Sequence, residues 1–373
     1  MKRSKAKNIF YLTLSILLYF SNKLTTNWAQ KNNAFIETFY SQGIYPYIAQ
    51  GLNFLHRFFP FSLAEILFLL IGLEVFRRLV LFLTKPKEMK SFFDKNKIFN
   101  LLAKLALLLT ALAFSFQLIW GLNYYRLPLS AHLDLDVKER EVDFLEEVLL
   151  ELIDETNQLR LSLNNSMGGS STLSLPLNYY YQELPKLYDN PKFKPDLPFL
   201  ALPGSVKPII FSGLMSFTKT SGFYFPFSGE ANVNINVPDY QILATMVHEI
   251  AHRQGFARED EANFLAWLVL RESDGPAELK YSGNMLALAY GLNAYHRSDP
   301  SGYSQIYNRL NTGVKTDFRF SRVFWARYEG PVETLSESIN NQYLQSNKQR
   351  DGVKSYGRML DLILAYYDKH ILP

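Results

Sequence analysis

Three apolar runs in the first third of the chain constrain its fold more than any other feature. They span residues 9–22, 58–76 and 101–120 of the 373-residue sequence. A transmembrane helix needs about 20 consecutive apolar residues, so the second and third runs are long enough and the first is short. The pattern predicts three membrane-spanning helices, which form a multi-pass membrane anchor over residues 1–122.

Basic residues flank these runs on one side of the predicted membrane. They are Lys2, Arg3, Lys5 and Lys7 before the first run, and Lys85, Lys87, Lys90, Lys95 and Lys97 between the second and third. Lys and Arg concentrate on the cytoplasmic side, so the chain after Leu122 is expected on the extracytoplasmic side of the cell membrane. Two alternatives stay open: a cleaved signal peptide for the first run, and buried helices of a soluble core for all three.

Composition narrows the possible chemistry. The net charge is only +4, so no nucleic-acid partner is expected. The chain has no cysteine, and any bound metal must therefore be held by His, Asp or Glu.

Residues 123–373 are more polar and predict a mostly helical domain with a small β-sheet. Apolar residues alternate with three asparagines over Ala231–Val237, which predicts a half-buried strand with the asparagines exposed. A second strand is predicted over Ile209–Phe217. The predicted helices are Asp136–Leu163, Tyr240–Gln254, Asp260–Glu272, Pro276–His296, Tyr303–Leu310, Phe318–Tyr328, Val332–Leu344 and Val353–Tyr367.

The run His248-Glu249-Ile250-Ala251-His252 carries the chemistry of the chain. On the predicted helix before Gly255, histidines four residues apart lie on one face and can share one ion. The pattern predicts a Zn²⁺ site with His248 and His252 as ligands and Glu249 as the general base that takes a proton from the metal-bound water.

A catalytic zinc site usually has three protein ligands, and three acids after the motif compete for the third place. Glu259, Glu261 and Asp260 lie in one acidic cluster, which also suits the start of a helix. The run from Glu259 to Asn263 resembles the Glu-x-x-Ala-Asp/Asn element of membrane prenyl-protease-type zincins. That resemblance implies Glu259 as the ligand and Asn263 as a residue that braces it.

Two further roles are hypotheses. Tyr295 and His296, near the end of a predicted helix, are candidates to stabilise an oxyanion, although His296 is also typical of an ordinary surface position. The strand over Ala231–Val237 is expected to border the cleft and to pair with an extended substrate, and an ordinary solvated strand is the alternative.

Several motifs together resemble the domain of unknown function 3810 family of bacterial membrane proteins. They are Gly222–Phe227, Gly229–Asn234, His248–Asn263, Gly352–Met359 and the pair Asp361-Leu362, with a similar arrangement of apolar runs before them. The resemblance implies a zinc peptidase with an HExxH motif and no assigned substrate.

The sequence therefore predicts a membrane anchor followed by a zincin-like, mostly helical α+β domain over residues 123–373. The expected function is a gluzincin-like zinc metallopeptidase, a hydrolase whose partners are a peptide or protein substrate and the lipid bilayer. Alternatives are a zinc amidase acting on cell-wall material, a non-catalytic membrane sensor with a zincin fold, and a scaffold whose zinc site is closed by four ligands.

Overall fold

A computed structural model describes residues 2–84, 94–163, 168–193, 197, 202–347 and 349–372. Lys85, Lys87 and Lys90, which contribute to the predicted orientation in the membrane, lie outside these residues.

The first part of the chain is helical. It contains α1 (Lys2–Ala29), α2 (Asn33–Phe35), a π-helical segment (Ile36–Ile44), α3 (Tyr45–His56), α4 (Leu63–Thr84) and α5 (Lys95–Ile119). Asp94 caps α5, because its carboxylate accepts the backbone N–H groups of Asn96 and Lys97. Among the described residues, α5 is the one helix that is both long and apolar enough to cross a membrane.

Helices α1 and α5 pack along each other in the same direction. The Asn100 side chain donates to the Asn8 side chain over 2.6 Å, and Thr110 donates to Ser15 over 3.2 Å. Residue numbers rise together along both helices at these two contacts, so α1 and α5 are parallel.

The rest of the chain is also mainly helical, as predicted. Its helices are α6 (Leu129–His132), α7 (Val142–Ser162), α8 (Leu177–Glu183), α9 (Ser212–Met215), α10 (Asp239–Arg253), α11 (Glu259–Arg271), α12 (Ala277–Ser298), α13 (Tyr303–Asn308), α14 (Thr312–Ala326), α15 (Pro331–Ser346) and α16 (Met359–His370). Short 3₁₀ helices cover Gly121–Tyr125, Leu184–Asp189, Pro191–Phe193, Ser216–Thr218 and Gly352–Arg358. The last of these replaces the first half of the helix predicted over Val353–Tyr367.

A three-stranded sheet in the described part of the chain has the order β1-β3-β2. β1 (Lys207–Pro208) pairs in parallel with β3 (Glu230–Val233), and β2 (Gly222–Phe225) pairs antiparallel to the other side of β3. Two predictions are wrong here. Ile209–Phe217 is not a strand, because α9 and a 3₁₀ turn occupy most of it, and the strand predicted over Ala231–Val237 ends at Val233.

Two of the three asparagines predicted to face solvent are buried instead. Asn232 in β3 and Asn234 just after it are fully enclosed. Asn232 donates to the carbonyls of Phe223 and Glu230, and Asn234 donates to the carbonyl of Thr220. Hydrogen bonds to neighbouring backbone groups offset the loss of water around these amides.

Helix α11 lies at the centre of the domain. Its side chains are buried along almost its whole length, including Phe264 and Trp267. It packs against α10, α12 and α16, and this packing holds the polar first turn of α11 against the second half of α10.

Candidate metal centre

Helix α10 presents the two motif histidines on one face. The helix begins at Asp239, directly after Pro238. Val247, Ile250 and Ala251 fix the opposite side in the core. The Nε2 atoms of His248 and His252 are 3.1 Å apart, one helical turn from each other.

A tight turn then brings Glu259 back to the histidines. Gly255 has a φ of 89°, which a residue with a side chain rarely adopts. The turn leads into α11, whose first residue is Glu259. Glu259 Oε2 lies 3.1 Å from His248 Nε2 and 3.4 Å from His252 Nε2.

These three side chains fit a divalent cation. One donor atom from each of His248, His252 and Glu259 lies within 4.8 Å of the other two, and all three residues are buried. Such atoms bear lone pairs and repel one another at close range unless a proton or a cation lies between them. His252 Nδ1 is 2.7 Å from the carbonyl oxygen of Phe256, which favours a proton on Nδ1 and leaves Nε2 to bind a metal.

The ionisation of the cluster follows from burial and mutual contact. Burial alone would lower the pKa of His252, but the charge of Glu259 and its hydrogen bond raise it to about 9. Burial alone would raise the pKa of Glu259, but the two histidines lower it to about 2. Both shifts show that the carboxylate of Glu259 favours positive charge beside it, which a proton or a cation can supply.

Glu259 is held in place by the segment before α16. Its backbone N–H donates to Gln349 Oε1 over 3.1 Å, and the Ser355 hydroxyl donates to the same oxygen over 2.9 Å. Asn263, one turn along α11, donates to the carbonyl oxygen of Tyr356 over 3.3 Å. These bonds connect the acid to the segment Gly352–Met359.

Neither of the other two acids of the cluster joins the histidines. Glu261 Oε1 accepts the backbone N–H of Leu129 over 2.8 Å and lies 3.2 Å from the Arg258 guanidinium. Among the described residues, the group of side chains that could hold a metal contains Glu259 and neither Asp260 nor Glu261.

Glu249 lies next to the three convergent side chains. Burial raises the pKa of this carboxyl to about 7, although the charges of His248 and His252 act in the opposite direction. Its Oε2 atom has no hydrogen-bond partner within the described part of the protein. A carboxylate with this pKa can both accept and return a proton near neutral pH.

A cleft of about 670 Å³ opens in front of Glu249 and His248. The chain from Thr218 to Gly222 and residues of α14 and α15 line it. Tyr290 on α12 and Tyr356 also line it, and the Tyr356 ring stacks on His248 at a centroid distance of 6.3 Å.

Tyr295 and His296, the two candidates for oxyanion stabilisation, do not line this cleft. The Tyr295 hydroxyl donates to Glu146 over 2.6 Å, and His296 packs on Tyr303. Sequence reasoning missed Tyr290, which lies on the same helix, and gave Tyr356 no role. The motif Gly352–Met359 was the one available signal for Tyr356.

The candidate metal centre adjoins the end of α5. Trp120, the residue after that helix, donates its indole N–H to the carbonyl oxygen of His252 over 3.1 Å. The Tyr45 hydroxyl donates to the carbonyl of Arg253 over 2.7 Å, and Arg126 donates to that of Gly255 over 3.1 Å. The end of α10 and the following turn are therefore fixed by the helical first part of the chain.

Comparison with known proteins identifies a family. A family model described as a protein of unknown function (DUF3810) matches residues 40–364. No curated protein and no solved structure matches the chain.

Proposed function

The chain belongs to the DUF3810 family, and because that description assigns no activity, we propose from the site itself that the protein is a membrane-anchored zinc-dependent metallopeptidase. The observation that carries the proposal is the convergence of His248, His252 and Glu259 beside Glu249, with His248 and Glu249 lining a cleft. Three protein ligands leave a fourth position for water, which is typical of catalytic rather than structural zinc.

Each residue of the site would have a distinct role in hydrolysis of a peptide bond. Bound zinc would supply a water of lowered pKa and polarise the carbonyl of the peptide bond. Glu249 would accept the proton of that water and pass it to the leaving amine. Tyr290 and Tyr356, whose phenol groups line the cleft, are the candidates to donate a hydrogen bond to the oxyanion.

The sheet supports an extended peptide as substrate. β2 is an edge strand in the order β1-β3-β2, and its first residue, Gly222, contacts Glu249. An extended chain can add to such an edge by backbone hydrogen bonds. This role belongs to β2 rather than to the strand expected from the sequence, since β3 is paired on both sides.

The charge of the cleft favours a peptidase over an amidase for cell-wall material, for which a more basic cleft is expected. Its lining carries two basic residues, Lys219 and Arg322, beside three acids, Glu249, Glu333 and Glu337. A zincin-like fold for residues 123–373 is part of this proposal, and the order strand, motif helix, glutamate helix supports it.

We also propose that α1, α4 and α5 cross the membrane and that the cleft lies on the extracytoplasmic side. The parallel packing of α1 and α5 supports this, because two parallel spans need a third span between them to return the chain. α4 is suited to that role, since its apolar residues from Leu67 to Phe76 are mostly exposed.

The test is zinc content and cleavage of an unbiased peptide library by the purified protein and two variants. Glu249→Gln removes the general base, and Glu337→Gln changes an acid elsewhere on the cleft wall. We expect about one zinc per chain in all three proteins, the ratio a single mononuclear site implies, with cleavage lost in Glu249→Gln alone. Absence of zinc would contradict the metal site, and zinc without cleavage by the parent would favour the sensor or the amidase.

A further inference from the structure

Helix α15 has an apolar face that the protein leaves uncovered. Val332, Leu335 and Ile339 are 54%, 62% and 59% exposed, and their spacing places them on one side of the helix with Tyr343 one turn further on. The adjacent side of α15 lines the cleft through Ser336 and Asn340. One helix, α15, therefore presents both a wall of the cleft and this exposed apolar face.

The face is continuous with the outer end of α5. The ring of Tyr343 lies 6.3 Å from the ring of Phe116, in the last turn of α5. The hydroxyl groups of Tyr124 and Tyr343 are 3.2 Å apart. Through Tyr343, α15 is therefore attached at the place where α5 would leave the bilayer.

A second exposed apolar segment connects the same region to the start of α4. Ile210, Phe211, Leu214 and Phe217 are all exposed. The backbone N–H groups of Ile210 and Phe211 donate to Glu65 in the first turn of α4, over 2.9 and 2.7 Å. The turn Ser216–Thr218 packs against α15, so the two exposed segments form one patch between the ends of α4 and α5.

We propose that this patch lies in the membrane interface and that the cleft therefore takes a segment of a membrane-tethered protein, cut close to the bilayer surface. The proposal rests on the proposed function and adds the class of substrate. A contiguous apolar patch of this kind is costly in water, and its continuity with α5 makes lipid the occupant. α15 contains no Lys or Arg, so apolar burial rather than anionic lipid would hold it there.

The short distance between the metal centre and α5 supports the same conclusion. Trp120 follows α5 directly, and a single hydrogen bond connects its indole to the backbone of His252. The rings of Phe223 and Phe225 in β2, the strand that begins at Gly222 beside Glu249, contact Phe68 of α4. Both the motif helix and β2 are thus attached to helices expected in the membrane, and a substrate tethered there gains effective concentration.

Lipid contact is tested by spin labels, because the chain has no cysteine and single cysteines can be introduced. Ile339→Cys labels the apolar face, and Thr334→Cys is the control on another exposed side of the same helix. In phosphatidylcholine nanodiscs we expect the label at 339 to be more accessible to oxygen than to a water-soluble nickel chelate, with the reverse at 334. Equal exposure of both labels to the nickel chelate would overturn the proposal.

The substrate class is tested with the library peptide that the protein cuts fastest. The peptide is presented free, or attached to a lipid in the same nanodiscs through a short spacer. We expect the tethered peptide to be cut at least about tenfold faster, and equal rates would overturn the proposal. If no peptide is cut, the proposed function fails, and with it the substrate class, while the spin labels still decide the lipid contact.

Discussion

Gly222 lies so close to Glu249 that a β-carbon at position 222 would be 2.7 Å from Glu249 Oε1. The same β-carbon would also lie 2.7 Å from Thr245 Cγ2, so an alanine must displace either β2 or both the Glu249 and Thr245 side chains. We expect Gly222→Ala to lower kcat/KM by about 100-fold, the cost of a misplacement of about 1 Å, with zinc content unchanged.

The control for this substitution is Gly213→Ala. Gly213 lies in α9, and a β-carbon there would meet nothing within 4 Å. Its kcat/KM is expected to match the parent. Full activity in Gly222→Ala would show that the contact with Glu249 does not set the position of the general base.

Substitution with glutamine tests which of Glu259 and Glu261 is the third zinc ligand. We expect Glu259→Gln to lose most of its zinc, because the amide removes the charge of the carboxylate beside both histidines. Glu261→Gln is expected to keep its zinc and to lose about 1 kcal/mol of stability or less, since the amide can still accept the N–H of Leu129 and gives up only the ion pair with Arg258. Zinc per chain and the free energy of unfolding are measured on both variants. Loss of zinc in Glu261→Gln alone would reverse the assignment.

The central part of the site could be anticipated because it is encoded locally. His248 and His252 are one helical turn apart, and Gly255 permits the turn that returns Glu259 within a few residues. The choice between Glu259 and Glu261 was not local. It depends on Leu129, whose N–H meets Glu261 from a distant part of the chain.

Other features could not be anticipated because they depend on long-range contacts. The alternation of apolar residues and asparagines over Ala231–Val237 predicted one buried and one exposed face. Asn232 and Asn234 are buried instead, because their side chains donate to backbone carbonyls inside the fold. The length of the strand was overestimated for the same reason. Tyr290 reaches the cleft only because α12 packs against α10, and no short motif marks that packing.

The cleft wall depends on a buried ion pair between Arg160 and Asp317. Arg160 Nε is 2.8 Å from Asp317 Oδ2, and both side chains are fully buried. Tyr281 also donates to this carboxylate over 2.5 Å. We expect Asp317→Ala to destabilise the protein by about 3–5 kcal/mol, because it leaves Arg160 buried without its counter-charge. Chemical denaturation in detergent gives the free energy of unfolding.

Asp368→Ala is the matched control for a surface ion pair. Asp368 lies 2.6 Å from Arg140, but its side chain is 44% exposed. Water screens such a pair, and the expected loss is about 1 kcal/mol or less. Similar losses of unfolding free energy in the Asp317→Ala and Asp368→Ala variants would show that the Arg160–Asp317 pair has no special role in holding α14.

The pH dependence of stability is expected to contain a contribution from Glu37, on the π-helical segment. Burial alone would raise the pKa of this carboxyl, but the His132 ring, 3.3 Å away, and two hydrogen bonds from Arg126 lower the pKa from 4.5 to about 2. In the unfolded chain this carboxyl binds a proton below about pH 4.5, whereas in the folded protein it stays ionised down to about pH 2. Its contribution to the free energy of unfolding is therefore complete above about pH 4.5 and is lost as the pH falls towards 2. The midpoint of thermal unfolding should therefore fall across this window, and Glu37→Gln should flatten that part of the curve while lowering the midpoint at pH 7. An unchanged slope between parent and variant would mean that other carboxyl groups account for the acid sensitivity.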